Sequence, residues 1–305
     1  MAESIGLIER AAALLRQRET ADASPLPQPQ AGRQAEPAAP AETVVGLGPE
    51  LVLDRGRLAG YGVSIPSSGR SRTVEEFRLV KRNLMAAWTQ NSAIGDQRAS
   101  RLIMVTSARP GEGKTFIALN LALAFASERD VKALLVDVDT HHSALQNVLG
   151  ISEDKGIVDV LAGDAELPEV LIRTNVPNLL VLPSGRGGPH VPELFSSRQM
   201  AALMADMAQR FPDRFIIVDT PPCMVSSDAA TLAPLVGQIV FVIEAHRTQQ
   251  EEIEAGLSML SGCPRISLLL NKSDQTSEHF GSYGYGYHYP SGEGDELRSD
   301  KPAPA

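Results

Sequence analysis

Residues 108–115 read Ala108-Arg109-Pro110-Gly111-Glu112-Gly113-Lys114-Thr115. An apolar, β-prone segment precedes this stretch at 102–105, and a helix-prone segment follows it at 116–125. A strand that leads into a tight glycine loop and then into a helix directs backbone N–H groups and a helix N-terminus at an anion. The stretch therefore fits the phosphate-binding loop pattern, with Ala108 in place of the usual first glycine.

Four residues of this loop have separate chemical roles in such a pattern. Gly111 and Gly113 let the backbone approach a phosphate closely. Lys114 supplies a cation for the β- and γ-phosphates, and Thr115 offers a hydroxyl to Mg²⁺. The loop thus predicts a nucleoside triphosphate and Mg²⁺ as ligands.

The pattern after residue 101 alternates apolar strand-like segments with helix-like segments. We predict strands at 102–106, 133–138, 179–182, 215–218, 238–243 and 266–270. We predict helices at 114–127, 157–161, 197–210, 227–233 and 249–260. This alternation predicts an α/β fold with a mainly parallel sheet that is covered by helices on both faces. In such a sheet the nucleotide lies at the carboxyl ends of the strands.

The chain is predicted to have four parts. Residues 1–18 form an amphipathic helix, which either docks on a partner or membrane surface or is marginal and frayed. Residues 19–70 are a Pro/Ala-rich linker, and residues 71–275 are the folded domain. Residues 276–305 are polar and Gly-rich, which predicts a disordered tail. The tail holds four of the chain's five tyrosines, at Tyr283, Tyr285, Tyr287 and Tyr289.

Composition limits the possible functions. The 305 residues carry a formal net charge of −9, which argues against a general nucleic-acid binder. The N-terminus lacks the basic region and long apolar core of a signal peptide, and no apolar run is long enough to span a membrane. We therefore expect a cytoplasmic protein that does not bind nucleic acid.

Acidic residues end two of the predicted strands. Asp137 and Asp139 end the first and share one face if the strand continues that far. Asp219 ends the second, which Pro221 and Pro222 terminate. Carboxylates at strand ends beside a phosphate-binding loop suit Mg²⁺ binding and the positioning of a water or hydroxyl group.

Three motifs in this order resemble the bacterial tyrosine kinases built on the phosphate-binding-loop fold. They are the loop at 107–115, the strand with Asp137 and Asp139, and the run from Asp219 to Pro222. Segments 156–163 and 192–197 are also similar. The resemblance covers about residues 70–290 and implies a MinD/ParA-like P-loop NTPase fold. The N-terminal helix, the helix near residue 75 and the Gly-Tyr tail look closest to autokinases linked to exosortase-associated exopolysaccharide clusters.

The resemblance implies a division of roles among the site residues. ATP contacts residues 108–115, Phe116 and Asn271, and the last of these lies where relatives contact adenine. Mg²⁺ is held by Thr115, Asp219 and one strand acid, which we take to be Asp137. Asp137 also orients or deprotonates the attacking tyrosine hydroxyl, while Asp139 supports Mg²⁺ or its waters. The catalytic set is then Lys114, Asp137, Asp139 and Asp219.

The resemblance also implies an assembly and a partner. The family carries an E-x-x-R-x-x-R helix that packs subunits into a ring, and Glu75, Arg78 and Lys81 occupy that pattern here. The tail tyrosines are phosphorylated in trans within the ring. A membrane-anchored polysaccharide chain-length-determinant (co-polymerase) protein recruits the kinase to the inner face of the plasma membrane, where it regulates exopolysaccharide polymerisation and export.

Several alternatives stay open. His141 stands where the family usually has Arg, and Lys81 replaces the last Arg of the helix pattern, which favours slow or partner-dependent activity. Arg109 either reaches a neighbour's nucleotide or is solvated. The rival functions are a MinD/ParA-like membrane-surface ATPase, a weakly active ATP-binding regulator, and a GTPase that uses the N-K-x-D pattern at 271–274.

Overall fold

The computed structural model describes residues 48–63, 65, 72–91, 101–142, 144–152 and 154–273. The predicted N-terminal helix at 1–18 and the tail at 276–305, with its four tyrosines, lie outside these residues. Within them, eight strands form one sheet. The strands are β1 (Glu50–Leu51), β2 (Leu102–Ser107), β3 (Lys132–Asp137), β4 (Ile172–Thr174), β5 (Leu179–Leu182), β6 (Arg214–Asp219), β7 (Gln238–Glu244) and β8 (Ile266–Asn271).

Ten α-helices and one 3-10 turn, Ala233–Leu235, accompany these strands in the described ranges. The helices are α1 (Arg55–Gly60), α2 (Arg72–Asn91), α3 (Lys114–Ala126), α4 (Ala144–Leu149), α5 (Ile157–Ala162), α6 (Leu167–Val170), α7 (Val191–Phe195), α8 (Arg198–Arg210), α9 (Asp228–Leu232) and α10 (Gln250–Met259). Every strand and helix predicted between residues 102 and 270 is present, and each end differs from the prediction by no more than one residue.

The sheet order is β1-β4-β5-β3-β6-β2-β7-β8. All neighbouring strands are parallel except β4 and β5. The central strands are apolar at almost every position because helices cover both faces of the sheet, and two hydrophobic clusters lie on its opposite sides. The predicted fold class is confirmed.

This order positions the candidate site. Strand β2 leads into the loop and lies beside β6, and β6 lies beside β3. In the register of the sheet, Asp137 at the end of β3 is opposite Asp219 at the end of β6. The two acids and the loop therefore meet at one edge of the sheet.

Residues 48–63 correct the predicted linker at 19–70. Leu53, Leu58 and Val63 are buried in the cluster that also holds residues of α2 and α3. The Leu53 backbone N–H donates to Asn175 Oδ1 at 2.9 Å, and β1 pairs with β4. The residues that make these contacts show no periodicity along the chain, so no sequence pattern predicts the contacts. Packed structure thus begins by Gly48 rather than near residue 71.

Candidate active site

The loop at 107–115 adopts a backbone that requires glycine at two positions. Gly111 has φ of +84° and Gly113 has φ of +95°, both in the left-handed region. Gly113 caps the N-terminus of α3. A Cβ atom added at Gly113 would lie 2.2 Å from Asn271 Nδ2, whereas one at Gly111 would meet open space. The loop and the end of β8 therefore approach each other at Gly113 more closely than a side chain allows.

Lys114 is the cation of the site. Its Nζ lies 2.5 Å from Asp139 Oδ2 and 3.5 Å from Thr115 Oγ1, and the residue is buried. Burial by itself would lower the pKa of Lys114, but the charges of Asp219, Asp139 and Asp137 outweigh burial and raise this pKa. Lys114 is therefore charged throughout the neutral pH range.

Asp139 joins Lys114 to the histidines that follow it. Its Oδ1 lies 3.2 Å from His142 Nδ1 and accepts a hydrogen bond from the His141 backbone N–H at 3.3 Å. Burial favours the protonated carboxyl, but the Lys114 charge and hydrogen bond, together with His142, lower the pKa of Asp139. Asp139 is thus an ionised partner of Lys114.

Asp137 and Asp219 have a different environment from that of Asp139. Both are buried, and Asp137 Oδ1 accepts a hydrogen bond from the Asp139 backbone N–H at 3.0 Å. Burial and the nearby Asp219 charge raise the pKa of Asp137 well above its usual value. Burial likewise raises the pKa of Asp219 to about 6, although Lys114 and the adjacent Thr115 hydroxyl lower it. The two carboxyl groups are therefore close enough that the negative charge of Asp219 disfavours ionisation of Asp137.

Three oxygens in this region are unsatisfied. Asp137 Oδ2 and both carboxylate oxygens of Asp219 are buried without a hydrogen bond of normal geometry. Buried carboxylate oxygens without donors are costly, and a cation would satisfy them. In the described part of the chain, no three His, Cys, Asp or Glu side chains form a complete metal cage. Mg²⁺ needs no such cage, since it commonly binds one or two carboxylates, waters and substrate phosphates. The residues present fit Mg²⁺.

The end of β8 supports the loop from the opposite side. Asn271 Nδ2 donates to Glu112 O at 2.8 Å, and Lys272 Nζ donates to Gly111 O at 2.7 Å. Lys272 Nζ also lies 3.2 Å from Glu244 Oε1 at the end of β7. This role of Lys272 was not predicted from the sequence, although its position after a strand-ending Asn was an available signal. The expected contact of Asn271 with adenine stays a prediction.

Comparison with known proteins establishes the family. A family model described as AAA domain matches residues 100–247. Tyrosine-protein kinase CpsD of Streptococcus agalactiae is 30% identical over 216 residues, which cover 70% of this chain and 89% of CpsD. This chain belongs to the bacterial tyrosine-protein kinase family. It is therefore a protein-tyrosine kinase with a phosphate-binding loop.

Other relatives agree with this placement of the kinase. Tyrosine-protein kinase YwqD of Bacillus subtilis is 28% identical, and the match covers 77% of this chain and 95% of YwqD. Among solved structures, the chimerical protein CapA2B2 matches with a TM-score of 0.61 and 27% identity, covering 75% of this chain and 94% of that chain. The similarity thus extends over about three quarters of this chain and over nearly the whole length of YwqD and of the CapA2B2 chain.

Two further loop-associated residues of the kinase have contacts within the chain. Arg109 Nη1 lies 3.3 Å from Glu252 Oε1 on α10, so Arg109 is paired rather than only solvated. Phe116 packs edge-on against Phe77 of α2, with ring centroids 5.9 Å apart. This contact ties the start of α3 to α2. A contact of either residue with nucleotide, in its own or a neighbouring subunit, stays a prediction.

The three residues expected at a subunit interface, Glu75, Arg78 and Lys81, are placed differently from one another. Glu75 and Arg78 are exposed on α2 and form an ion pair with each other. Lys81 is buried, and its Nζ donates to Ala124 O at 3.2 Å and pairs with Glu128. Within the chain the charge of Lys81 is thus already paired at the end of α3, and the expected contact of Lys81 with a neighbouring subunit stays a prediction.

The described residues contain no helix that is long and apolar enough to cross a membrane.

Proposed function

We propose that this kinase uses Mg²⁺-ATP to phosphorylate its own C-terminal tyrosines in trans within an oligomeric ring. The phosphorylation would regulate exopolysaccharide polymerisation and export. One observation carries the proposal: a buried lysine at the helix end of the loop and three buried acids converge at the carboxyl ends of β2, β3 and β6. This is where a phosphoryl group bound by the loop would face an attacking hydroxyl.

The residues divide the chemistry as follows. The loop N–H groups and Lys114 stabilise charge on the transferring phosphoryl group, which is where most catalysis of this reaction resides. Asp137 orients or deprotonates the attacking tyrosine hydroxyl. Asp219, Thr115 and Asp137 hold Mg²⁺, and Asp139 supports the ion or its bound waters. Mg²⁺ supplies positive charge to the phosphate oxygens when it is bound.

The tail is the proposed acceptor. Tyr283 follows Lys272 by 11 residues, which span at most about 36–40 Å when extended. A segment of this length and composition can enter the site of an adjacent subunit without unfolding anything. Each phosphate adds about −1.5 to −2 charge near pH 7, to a tail that already has five acidic and two basic residues. A phosphorylated tail would be repelled by the acidic site, so the ring would open.

The ring and the membrane partner extend the proposal. Glu75 and Arg78 are exposed on α2 and are available to a neighbouring subunit, while Lys81 is buried within the chain. A membrane-anchored chain-length-determinant (co-polymerase) protein would recruit the cytoplasmic kinase to the inner face of the plasma membrane. The tyrosine tail supports assignment to the exosortase-associated autokinases.

A mixing experiment tests the reaction and its direction. Lys114→Met keeps the acceptor tail but loses the loop cation, and a second variant changes Tyr283, Tyr285, Tyr287 and Tyr289 to Phe but keeps the site. With labelled Mg²⁺-ATP, each variant alone should stay unlabelled, and the mixture should label the Lys114→Met chain on tyrosine. An unlabelled mixture with a labelled wild-type chain would contradict transfer in trans.

The same experiment separates the rival functions. A MinD/ParA-like membrane-surface ATPase would release free phosphate and leave the wild-type tail unlabelled. His141 and Lys81, which depart from the family pattern, favour a weakly active ATP-binding regulator as the second candidate. That regulator would bind ATP, with neither label on the tail nor release of phosphate, even when the membrane partner's cytoplasmic segment is added.

A further inference from the structure

Glu112 places a negative charge inside a loop that must bind a polyphosphate. The residue is buried, and its two carboxylate oxygens have different partners. Oε2 accepts a hydrogen bond from the Arg109 backbone N–H at 2.8 Å, which closes the loop upon itself. Oε1 accepts a hydrogen bond from the hydroxyl of Thr248, which is also buried and lies 136 residues further along the chain.

Thr248 is itself fixed by the end of β7. Its Oγ1 accepts a hydrogen bond from the Glu244 backbone N–H at 2.9 Å, so its hydroxyl proton points away from that amide and is available to Glu112. The Glu244 side chain pairs with Lys272, and Lys272 donates to Gly111 O in the loop. A continuous polar network thus connects β7 and β8 to the loop at Arg109, Gly111 and Glu112.

We propose that Thr248 is a positioning residue for nucleotide binding, which acts by holding the Glu112 carboxylate toward β7. In this orientation one oxygen of Glu112 faces a donor outside the loop and the other holds the Arg109 N–H, so the remaining loop N–H groups are left to the phosphates. Without the hydroxyl, a buried carboxylate oxygen loses its donor, and the carboxylate competes with phosphate for the loop N–H groups. The inference rests on the proposed use of ATP by the loop.

Direct binding of MgADP, measured by calorimetry, tests this role without requiring turnover. Thr248→Val keeps the shape of the side chain and removes the hydroxyl, and we expect it to weaken MgADP binding by about 5-fold or more. Thr248→Ser restores the hydroxyl and should bind within about 2-fold of the wild type. Thr231→Val controls for the Thr-to-Val change itself. Thr231 lies in α9, and its hydroxyl donates a hydrogen bond to Ser227 O.

A double-mutant cycle with Glu112→Ala shows whether Thr248 acts through Glu112. Thr248→Val should then add less than about 2-fold, because its partner is already gone. Thermal unfolding of every variant without nucleotide shows whether it folds, and Thr248→Ala replaces Thr248→Val if the latter does not. The inference would be overturned if Thr248→Val bound MgADP as tightly as the wild type, or if Thr248→Ser lost affinity. It would also be overturned if Thr248→Val weakened binding equally with and without Glu112→Ala. A wild-type chain that binds no MgADP would overturn the proposed function as well.

Discussion

Lys114 Nζ lies 2.5 Å from Asp139 Oδ2, within the carboxyl end of the sheet. The cation that the loop pattern assigns to the nucleotide phosphates is thus already bound by a protein carboxylate. Phosphate must therefore compete with Asp139 for Lys114, or add to the pair. This competition has a measurable consequence.

Asp139→Asn should lower the free energy of unfolding and increase the stabilisation that bound nucleotide provides. The loss of a charged hydrogen bond to a buried lysine is expected to lower the free energy of unfolding by roughly 1–3 kcal/mol, because Asp137 and Asp219 still offset part of the Lys114 charge. ADP in the presence of EDTA should then increase the melting temperature more in the variant than in the wild type. Asp154→Asn breaks an exposed ion pair with Arg186 and is the control. An equal or smaller ADP effect in Asp139→Asn would show that the carboxylate does not compete.

The raised pKa of Asp219 predicts how stability depends on pH. Burial raises this pKa to about 6, so between about pH 4 and pH 6 the folded chain binds more protons than the unfolded chain. Stability without nucleotide should therefore fall as pH rises through this window, by up to about 3 kcal/mol from this group. Asp137, whose pKa is also raised, contributes with the same sign. Asp219→Asn should flatten the slope in denaturant unfolding across this range, and parallel slopes for the two chains would refute the assignment.

Substitutions at Lys81 and Arg78 should affect different properties, namely the stability of the subunit and its assembly. Lys81→Met removes a buried ammonium from Glu128 and Ala124 O, and we expect the free energy of unfolding to fall by about 1–3 kcal/mol. Arg78→Ala removes an exposed pair and should change it by less than about 0.5 kcal/mol. If α2 forms the ring interface, Arg78→Ala should lower the solution mass while the subunit stays folded. Chemical denaturation and light scattering measure the two effects, and a stable Lys81→Met chain would contradict the structure.

Gly111 and Gly113 form a matched pair for testing the loop. Alanine at either position is strained, since both have positive φ, and should cost about 1 kcal/mol or more. Only at Gly113 would the new Cβ also collide with Asn271 Nδ2. Gly113→Ala should therefore lose more stability and more MgADP affinity than Gly111→Ala. Equal effects in unfolding and calorimetry would mean that the end of β8 does not constrain the loop.

Two N-terminal deletions test where packed structure begins. A chain lacking residues 1–47 keeps every contact that the described residues make with one another, and we expect it to unfold like the full chain. A chain lacking residues 1–70 also loses Leu53, Leu58 and Val63 from the core, and should be less stable by several kcal/mol. The point variant Leu58→Ala, expected to cost about 2–5 kcal/mol, checks that the loss comes from packing. Equal melting temperatures for the two deletions would restore the boundary predicted near residue 71.

The site could be anticipated largely because its residues end recognisable strands. The apolar runs before Asp137 and Asp219 mark buried parallel strands, and the glycine loop marks the start of a helix. Parallel strands place their carboxyl ends at one edge, so these acids had to lie near Lys114. The E-x-x-R-x-x-K spacing, by contrast, says only that Glu75, Arg78 and Lys81 fall near one side of a helix. It does not say that the end of α3 buries Lys81.

The amino-acid sequence by itself determined the parallel sheet, the loop and the edge at which the acids gather, because each follows from local periodicity and from residues adjacent along the chain. Tertiary structure alone decided which polar groups pair across the fold. The contacts of Glu112 with Thr248, of Lys272 with Gly111 O and of Lys81 with Glu128 join residues far apart in the chain. A hydrogen bond needs its donor within about 3 Å, and only the packed fold sets distances between such residues.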